Sequence, residues 1–345
     1  MRIDFHGVTD GPDVLDSWAG HLEQAGYDSI WMSETRHDPF IGLTAAALRT
    51  RRVAIRTGLA VVFARNPMST AMLANDLQLV SKGRFALGIG SQLQTHITKR
   101  FSMPWSKPAD RMREYILAMR AIWSCFETGE RLRFRGEFYR HTLMSEFFNP
   151  GPNPHGRPPV LVAGVGPMMT DLAGELADGF LAHIITTRRL LEEVTLPRLQ
   201  AARERAGGTM EGYELHVTPI VATGRDEVEL RSEIERSKRQ IAFYATIPSY
   251  GPVLELHGLG DLKTELTRLA ATGRADEMPS AIDDEVVETF AIVGEPKVAA
   301  RKIWERFGGL ATSIAFFQQY GGTPEYWHPL YTELHDLLVS EGVRS

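Results

Sequence analysis

The fold is decided by the stretch Ser81-Lys82-Gly83-Arg84-Phe85-Ala86-Leu87-Gly88-Ile89-Gly90. Residues 68–81 carry apolar side chains at helical spacing, behind Pro67, a residue that suits the first turn of a helix. Gly83 interrupts this pattern, and a short apolar run that ends in small residues follows. The stretch therefore predicts a helix, a turn and a buried strand, the repeat of an α/β fold with a parallel sheet.

The same alternation extends in both directions along the chain. Short apolar runs rich in β-branched residues alternate with segments of helical periodicity. The predicted strands are 3–5, 28–32, 53–63, 83–90, 159–163, 179–184, 215–222 and 312–317. The predicted helices are 14–25, 43–49, 68–81, 110–126, 168–177, 188–205, 227–244 and 326–338. Eight such units predict an α/β fold of the closed (β/α)₈ TIM-barrel type, with an open doubly wound sheet as the alternative.

The 345 residues are expected to form a single barrel domain with two insertions. Residues 130–158 are rich in proline, glycine and aromatic side chains, and residues 248–284 contain several glycines and two acidic pairs. Long segments of this kind inside a domain usually serve as binding loops or lids. We expect both to be insertions, and the second to be the better candidate for a mobile lid.

Composition excludes several function classes. The net charge is −5 with both signs spread along the chain, which argues against nucleic-acid binding. No run of about 18 apolar residues predicts a membrane span, and the first residues lack the apolar core of a signal peptide. Cys125 is the single cysteine, so an internal disulfide is impossible and a reducing compartment is favoured. No spacing of His, Cys, Asp and Glu suggests a metal site. These features predict a cytoplasmic protein that binds neither nucleic acid nor a membrane.

The candidate catalytic residues follow the second predicted strand. Active sites of (β/α)₈ barrels form at the C-terminal ends of the strands. Here strand two ends in Ser33-Glu34-Thr35-Arg36-His37-Asp38, the densest cluster of ionisable groups directly after any strand. A carboxylate and an imidazole at a barrel mouth can exchange protons near neutral pH. We assign a mainly positioning role to Glu34 and an acid–base role to His37; the alternative is that His37 caps the next helix or lies in solvent.

Strands three and four supply candidate cofactor-binding residues. Strand three passes through Gly58-Leu59-Ala60, where small residues allow a flat ligand to approach, although periodicity alone favours barrel-core packing as their explanation. Ser91, Gln92 and His96 follow the glycine-rich end of strand four and carry hydrogen-bonding groups.

The end of strand five is the candidate phosphate site. Ala163-Gly164-Val165-Gly166 leads directly into a predicted helix. Two glycines next to a helix N-terminus offer free backbone N–H groups and the positive end of the helix dipole to an anion. The third glycine of a dinucleotide-binding motif is absent, so a tight structural turn is the alternative.

Three ordered motifs resemble the luciferase-like monooxygenase superfamily. The first joins residues 66–68 to residues 76–90, the second pairs residues 159–164 with residues 177–180, and the third spans residues 292–299. The resemblance extends from about residue 3 to residue 322. Within the superfamily, the stretches at residues 33–40 and 100–105 look most similar to the branch that uses the deazaflavin coenzyme F420.

The resemblance implies both a reaction and an assembly. It implies an oxidoreductase that transfers a hydride between F420 and a small organic substrate, and a non-prolyl cis peptide near Gly58-Leu59-Ala60. An FMN-dependent monooxygenase that uses reduced flavin and oxygen is the alternative, and a cofactor-free binding subunit is a third hypothesis. A homodimer is also implied, and helices 43–49 and 68–81 contain small residues that suit close helix contact. These small residues are Ala45, Ala46, Ala47, Ala71 and Ala74.

The chain departs from the F420-dependent branch at one point. Deazaflavin sugar-phosphate dehydrogenases carry an Asp-His pair after strand two, whereas the matching positions here are Glu34 and Thr35 and the imidazole is displaced to His37. We therefore do not carry over a sugar-phosphate substrate. His96 and His183 are the next candidates for an acid–base residue.

Overall fold

Eight parallel strands close into a barrel in the computed structural model, which describes residues 1–7, 11–316 and 322–344. Each strand pairs with its neighbour in chain order, and the last returns to the first, with Ser313 beside Arg2 and Phe316 beside Phe5. The strands are β1 (Arg2–Gly7), β2 (Ser29–Met32), β3 (Ala54–Thr57), β4 (Phe85–Gly90), β5 (Val160–Gly164), β6 (Gly179–Ala182), β7 (Glu214–Val217) and β8 (Ser313–Phe316). Closure of the sheet confirms the predicted (β/α)₈ fold and excludes the open sheet. Phe317, the last residue predicted for β8, lies outside the described residues.

Helices surround the barrel, and many of them begin at a proline. A proline at the first helical position suits the backbone there, because the N–H that it lacks would have no partner within the helix. A short helix (Arg188–Leu190) and a π-turn (Leu191–Thr195) lead into α6. The helices are α1 (Pro12–Ala25), α2 (Pro39–Arg49), α3 (Pro67–Val80), α4 (Pro108–Thr128), α5 (Pro167–Leu176), α6 (Leu196–Arg205), α7 (Glu227–Ala245), α8 (Gly251–Leu256), α9 (Gly260–Ala271), α10 (Asp284–Phe290), α11 (Pro296–Phe307) and α12 (Pro324–Ser340).

Arg84 holds the turn between α3 and β4. Lys82 and Gly83 adopt left-handed backbone conformations, with φ of 56° and 85°. The Arg84 guanidinium donates to four carbonyl oxygens, those of Ala47, Thr50, Val53 and Ser81. The motif therefore fastens α2, α3 and β3 together at the N-terminal end of the barrel, away from the mouth.

Strand three is shorter than predicted. The ladder of β3 ends at Thr57, and a separate two-residue strand, Ala60–Val61, pairs with the end of β4. Between them lies a cis peptide bond from Gly58 to Leu59, as the resemblance implies. Strand six is also shorter, since it ends at Ala182.

Strand seven is interrupted at Pro219, which has no N–H to donate to a ladder. The predicted strand 215–222 is therefore wrong as one element. Its second half, Ile220–Ala222, instead pairs in parallel with Ala291–Val293 in a separate two-stranded sheet. This small sheet lies beside the start of α11, the helix that precedes β8.

Helix α7 forms as predicted but does not cover the barrel. Its buried residues belong to a second apolar cluster, formed with α8, α9 and α10. The main core instead takes in the apolar face of α11, including Ile303 and Phe307. Periodicity identified the helix correctly but could not show which core it joins.

The two expected insertions have different structures. In the first, Phe134–Arg135 pairs antiparallel with Arg140–His141. The Glu114 carboxylate accepts N–H groups from the intervening turn. The segment 248–284 is largely helical and includes α8 and α9. Its motion as a lid stays a prediction.

Candidate active site

Glu34 lies at the end of β2 with both carboxylate oxygens bound. One oxygen accepts the backbone N–H of Val61 at 2.7 Å, and Arg65 Nη1 lies 2.6 Å and 2.7 Å from the two oxygens. The Glu34 backbone N–H donates to the Leu59 carbonyl. Glu34 is 9% exposed, so this is a buried ion pair next to the predicted cofactor-binding segment.

Ser33 links β1 to the same segment. Its hydroxyl donates to the Gly58 carbonyl at 2.6 Å, and His6 Nε2 lies 2.7 Å from the hydroxyl oxygen. Because the single hydroxyl hydrogen is committed to Gly58, His6 donates through Nε2. Burial, with a contribution from His216, lowers the pKa of His6 to about 3, so the imidazole is neutral near pH 7.

His37 is half-buried in the loop after β2. Asp38, rather than His37, caps α2 by accepting the N–H of Phe40 at 2.9 Å. The capping alternative for His37 is therefore wrong. His37 and Glu34 both lie in the loop between β2 and α2, three positions apart.

The end of β4 reaches the strand-three segment. A side chain at Gly90 would meet the Leu59 side chain at 2.6 Å, so these positions are in close contact. Ser91 and Gln92 follow directly, and Gln92 has a left-handed φ of 61°. His96 begins a π-helix, His96–Arg100, and is exposed.

Leu59 and Ala163 pack against the same group of side chains inside the barrel. Both pack against an interior cluster of Trp31, Ala86, Leu161 and Leu181. The predicted residues of strands three and five therefore share one floor beneath the mouth.

The turn after β5 leaves a helix N-terminus open. Gly166 is the N-cap of α5 and no side chain caps the helix. A side chain at Gly166 would have no heavy atom within 4 Å, whereas one at Gly164 would meet Met169 at 2.8 Å. The N–H groups of the first helical turn have no partner within a helix, so they are available to an anion.

Sequence reasoning missed His6, Arg65 and Tyr250. His6 was detectable, because Arg2, Asp4 and His6 are polar at alternate positions of β1, the spacing of side chains that share one face. Nothing local marks Arg65 or Tyr250. Tyr250 lies in the segment 248–284, and its hydroxyl is 2.9 Å from Nε2 of His183, the first residue after β6.

The described residues contain no group of three or more His, Cys, Asp or Glu side chains placed to hold a metal ion. Within the same ranges, no helix has both the length and the apolar character needed to cross a membrane.

The sequence profile of the luciferase-like monooxygenase family matches residues 6–313. The chain belongs to this family. An uncharacterized protein of Mycobacterium tuberculosis is 45% identical over 293 residues, which cover 85% of this chain and 86% of the relative. An F420-dependent glucose-6-phosphate dehydrogenase of Intrasporangium calvum is 27% identical over 309 residues, 85% of each chain.

A solved structure has a closely similar fold. It is the coenzyme F420-dependent tetrahydromethanopterin reductase of Methanopyrus kandleri, with a TM-score of 0.77, 20% identity and coverage of 96% of both chains. Family membership and the closed barrel together identify this chain as a luciferase-like oxidoreductase with its mouth at the C-terminal ends of β1–β8.

Proposed function

We propose that this luciferase-like protein is an F420-dependent oxidoreductase acting on a small organic substrate. The observation that carries the proposal is the uncapped N-terminus of α5 at the barrel mouth, beside the glycine turn after β5. The F420-dependent name of a relative at 27% identity supports the deazaflavin over other cofactors. When bound, the deazaflavin would supply the capacity to accept or give a hydride.

The residues present fit such a cofactor. Its phosphate would be held by the free N–H groups of the first turn of α5, above the open space at Gly166. Its flat ring would rest on the apolar floor formed around Leu59 and Ala163. Val165 would line the same site, since it follows β5 directly and packs against the second apolar cluster. Ser91, Gln92 and His96 would supply hydrogen bonds from the end of β4.

Glu34 would act by positioning. Both of its carboxylate oxygens already have partners, so Glu34 would affect a bound ligand indirectly, by fixing the backbone from Gly58 to Val61. His37 would exchange the proton that a substrate gains or loses when a hydride is transferred, the usual task of a histidine near neutral pH.

Cofactor titration tests the proposal. The purified protein is titrated with F420 and, separately, with FMN, and binding is followed by cofactor fluorescence. We expect F420 to bind at least tenfold more tightly. Both cofactors carry a phosphate, so the phosphate site alone does not discriminate between them. Tight FMN binding without F420 binding would replace the proposal with the FMN-dependent monooxygenase.

A further inference from the structure

The segment 248–284 is attached at three points to residues 183–189, which are the loop after β6 and the start of the short helix that follows it. Tyr250 bonds to His183, Thr187 Oγ1 lies 2.9 Å from His257 Nε2, and Arg189 donates to the Leu256 carbonyl at 2.7 Å. This loop directly follows a barrel strand, so the attachment brings an inserted segment to the mouth. The insertion therefore contributes side chains to the region where barrel enzymes bind substrate.

Alternation of side chains along the chain predicts that His183, the first residue after β6, lies on the inward side of the strand end. Leu181 packs with Trp31 inside the barrel, and side chains two residues apart on an extended chain share a face. In the register of the sheet, Ala182 lies beside Gly164. His183 therefore follows at the level of Val165, next to the predicted cofactor turn.

The His183–Tyr250 pair carries two polar hydrogens, and the hydrogen bond between the two side chains uses only one of them. Neutral imidazole carries one N–H and phenol carries one O–H, but a single hydrogen bond joins them. His183 Nδ1 is buried, and within the described ranges it has no hydrogen-bond partner. If the Tyr250 O–H donates to Nε2, the spare hydrogen is on Nδ1; if His183 donates through Nε2, the spare hydrogen is the Tyr250 O–H, and a ligand oxygen beside that hydroxyl favours the second arrangement. A buried donor of this kind is costly unless an acceptor meets it.

The surroundings of the pair are uncharged. Burial lowers the pKa of His183 to about 3, and no charged neighbour contributes. Burial and the nearby Tyr244 raise the pKa of Tyr250, so both groups are neutral near pH 7. The rings of Tyr244 and Tyr250 lie 4.7 Å and 4.5 Å from the imidazole. A substrate carboxylate brought against the Tyr250 hydroxyl would lose its hydration without gaining an opposite charge.

We propose that Tyr250 donates a hydrogen bond to the oxygen of an uncharged carbonyl or alcohol substrate, and that His183 positions the Tyr250 hydroxyl. This proposal rests on the proposed function and adds the substrate class. It also gives the inserted segment a role, because Tyr250 comes from that segment and the site is incomplete without it. The competing explanation is that the pair only fastens the segment to the barrel.

The test uses cyclohexanone labelled with ¹³C at the carbonyl, added to the full-length protein with and without F420. A carbonyl that accepts a hydrogen bond shows a downfield shift of its ¹³C resonance. We expect this shift in the wild type and its loss in Tyr250→Phe, with binding weakened about fivefold to tenfold. Cyclohexanecarboxylate, of similar size but charged, should bind at least tenfold more weakly than cyclohexanone.

Two variants of His183 separate positioning from packing. In His183→Gln the amide nitrogen can replace Nε2, so the shift and affinity should stay within about twofold of the wild type. His183→Leu cannot donate and should lose most of the shift. Tyr213→Phe is the matched control. It removes another buried tyrosine hydroxyl, but at the N-terminal end of β7, away from the mouth of the barrel, so it should change neither measurement.

An unchanged shift in Tyr250→Phe would overturn the proposal, as would a wild type that binds no uncharged probe or prefers the carboxylate. Reduced stability of Tyr250→Phe with unchanged probe binding would establish the fastening role instead. F420 titration of the same proteins keeps the two hypotheses apart. A wild type that fails to bind F420 would refute the cofactor assignment, while the ¹³C shift would still decide the role of Tyr250.

Discussion

Arg65 Nη1 contacts both carboxylate oxygens of Glu34, at 2.6 Å and 2.7 Å, behind the mouth of the barrel. The Arg65 and Glu34 side chains are 14% and 7% exposed, so the pair is shielded from water. The Val61 N–H also donates a hydrogen bond to the Glu34 carboxylate. The ion pair therefore fixes the backbone that follows the strand-three segment, and the same arginine reaches Asp38 at the start of α2.

Replacing Glu34 with alanine should destabilise the protein by about 3 kcal/mol, because removal of one partner leaves a buried charge with poor compensation. The free energy of unfolding is measured in urea. Glu137→Ala is the control, since it breaks the exposed Lys107–Glu137 pair, in which the side chains are 58% and 61% exposed. That change should cost less than about 1 kcal/mol. Equal effects of the two variants would show that the Glu34 pair is not a buried anchor.

Gly166 and Gly164 should respond differently to substitution. Gly166→Leu places its side chain in open space, so folding should be nearly unaffected while affinity for F420 falls at least tenfold. Gly164→Leu must displace Met169, which a side chain there would approach to 2.8 Å, and should lower the melting temperature by several degrees. Thermal unfolding and cofactor titration measure the two effects. Unchanged affinity in Gly166→Leu would make the turn purely structural.

The alternating pattern was sufficient to predict the barrel. Apolar runs and helical periodicity each report local structure, and eight repeats in order leave few topologies. The break at Gly58 was not readable from periodicity, because the apolar run that follows it, residues 59–63, looks like a continuation of the same strand. The break at Pro219 was readable, since proline is excluded from the interior of a ladder.

The site was predictable only where it follows strands. Glu34, Gly164 and Gly166 could be proposed from the sequence because each lies at the end of a predicted strand. Tyr250 lies 67 positions from His183, and only the folded chain brings them together. The sequence suggested the alanines of α2 and α3 as the contact surface of a dimer. Four of them, Ala46, Ala47, Ala71 and Ala74, are instead buried within the single chain.

Large apolar side chains on α2 and α3 now support the predicted homodimer better than those alanines do. Leu48 on α2 is 73% exposed and Leu73 on α3 is 40% exposed. We expect light scattering to show a dimer at micromolar concentration, and Leu48→Glu with Leu73→Glu to give monomers. Val228→Glu on α7, which is 79% exposed in the wild type, should leave the dimer intact. A monomeric wild type would refute the prediction.

Stability should fall in acid partly through His183. Burial lowers its pKa from the ordinary 6.5 to about 3, so the unfolded chain binds a proton before the folded protein does. The contribution is therefore complete above about pH 6.5 and is lost progressively as the pH falls toward 3. His183→Gln should reduce the slope of unfolding free energy against pH by up to about 1.4 kcal/mol per unit between pH 6 and 4. Superimposable slopes would show that His183 is accessible to protons in the folded state.

His37 should matter for turnover but not for cofactor binding. Asp38 caps α2, so His37 is not committed to that cap, and it lies in the loop at the mouth. In F420-linked reduction of small ketones, His37→Ala should lose about 10²-fold or more in turnover, with F420 affinity within twofold of the wild type. Glu34→Gln should instead weaken F420 binding, because it alters the backbone under the ring. The ¹³C-carbonyl shift of bound cyclohexanone should persist in His37→Ala, since Tyr250 is intact. Near-normal turnover in His37→Ala would remove it from the mechanism and send the search for the acid–base residue to His96 or His183.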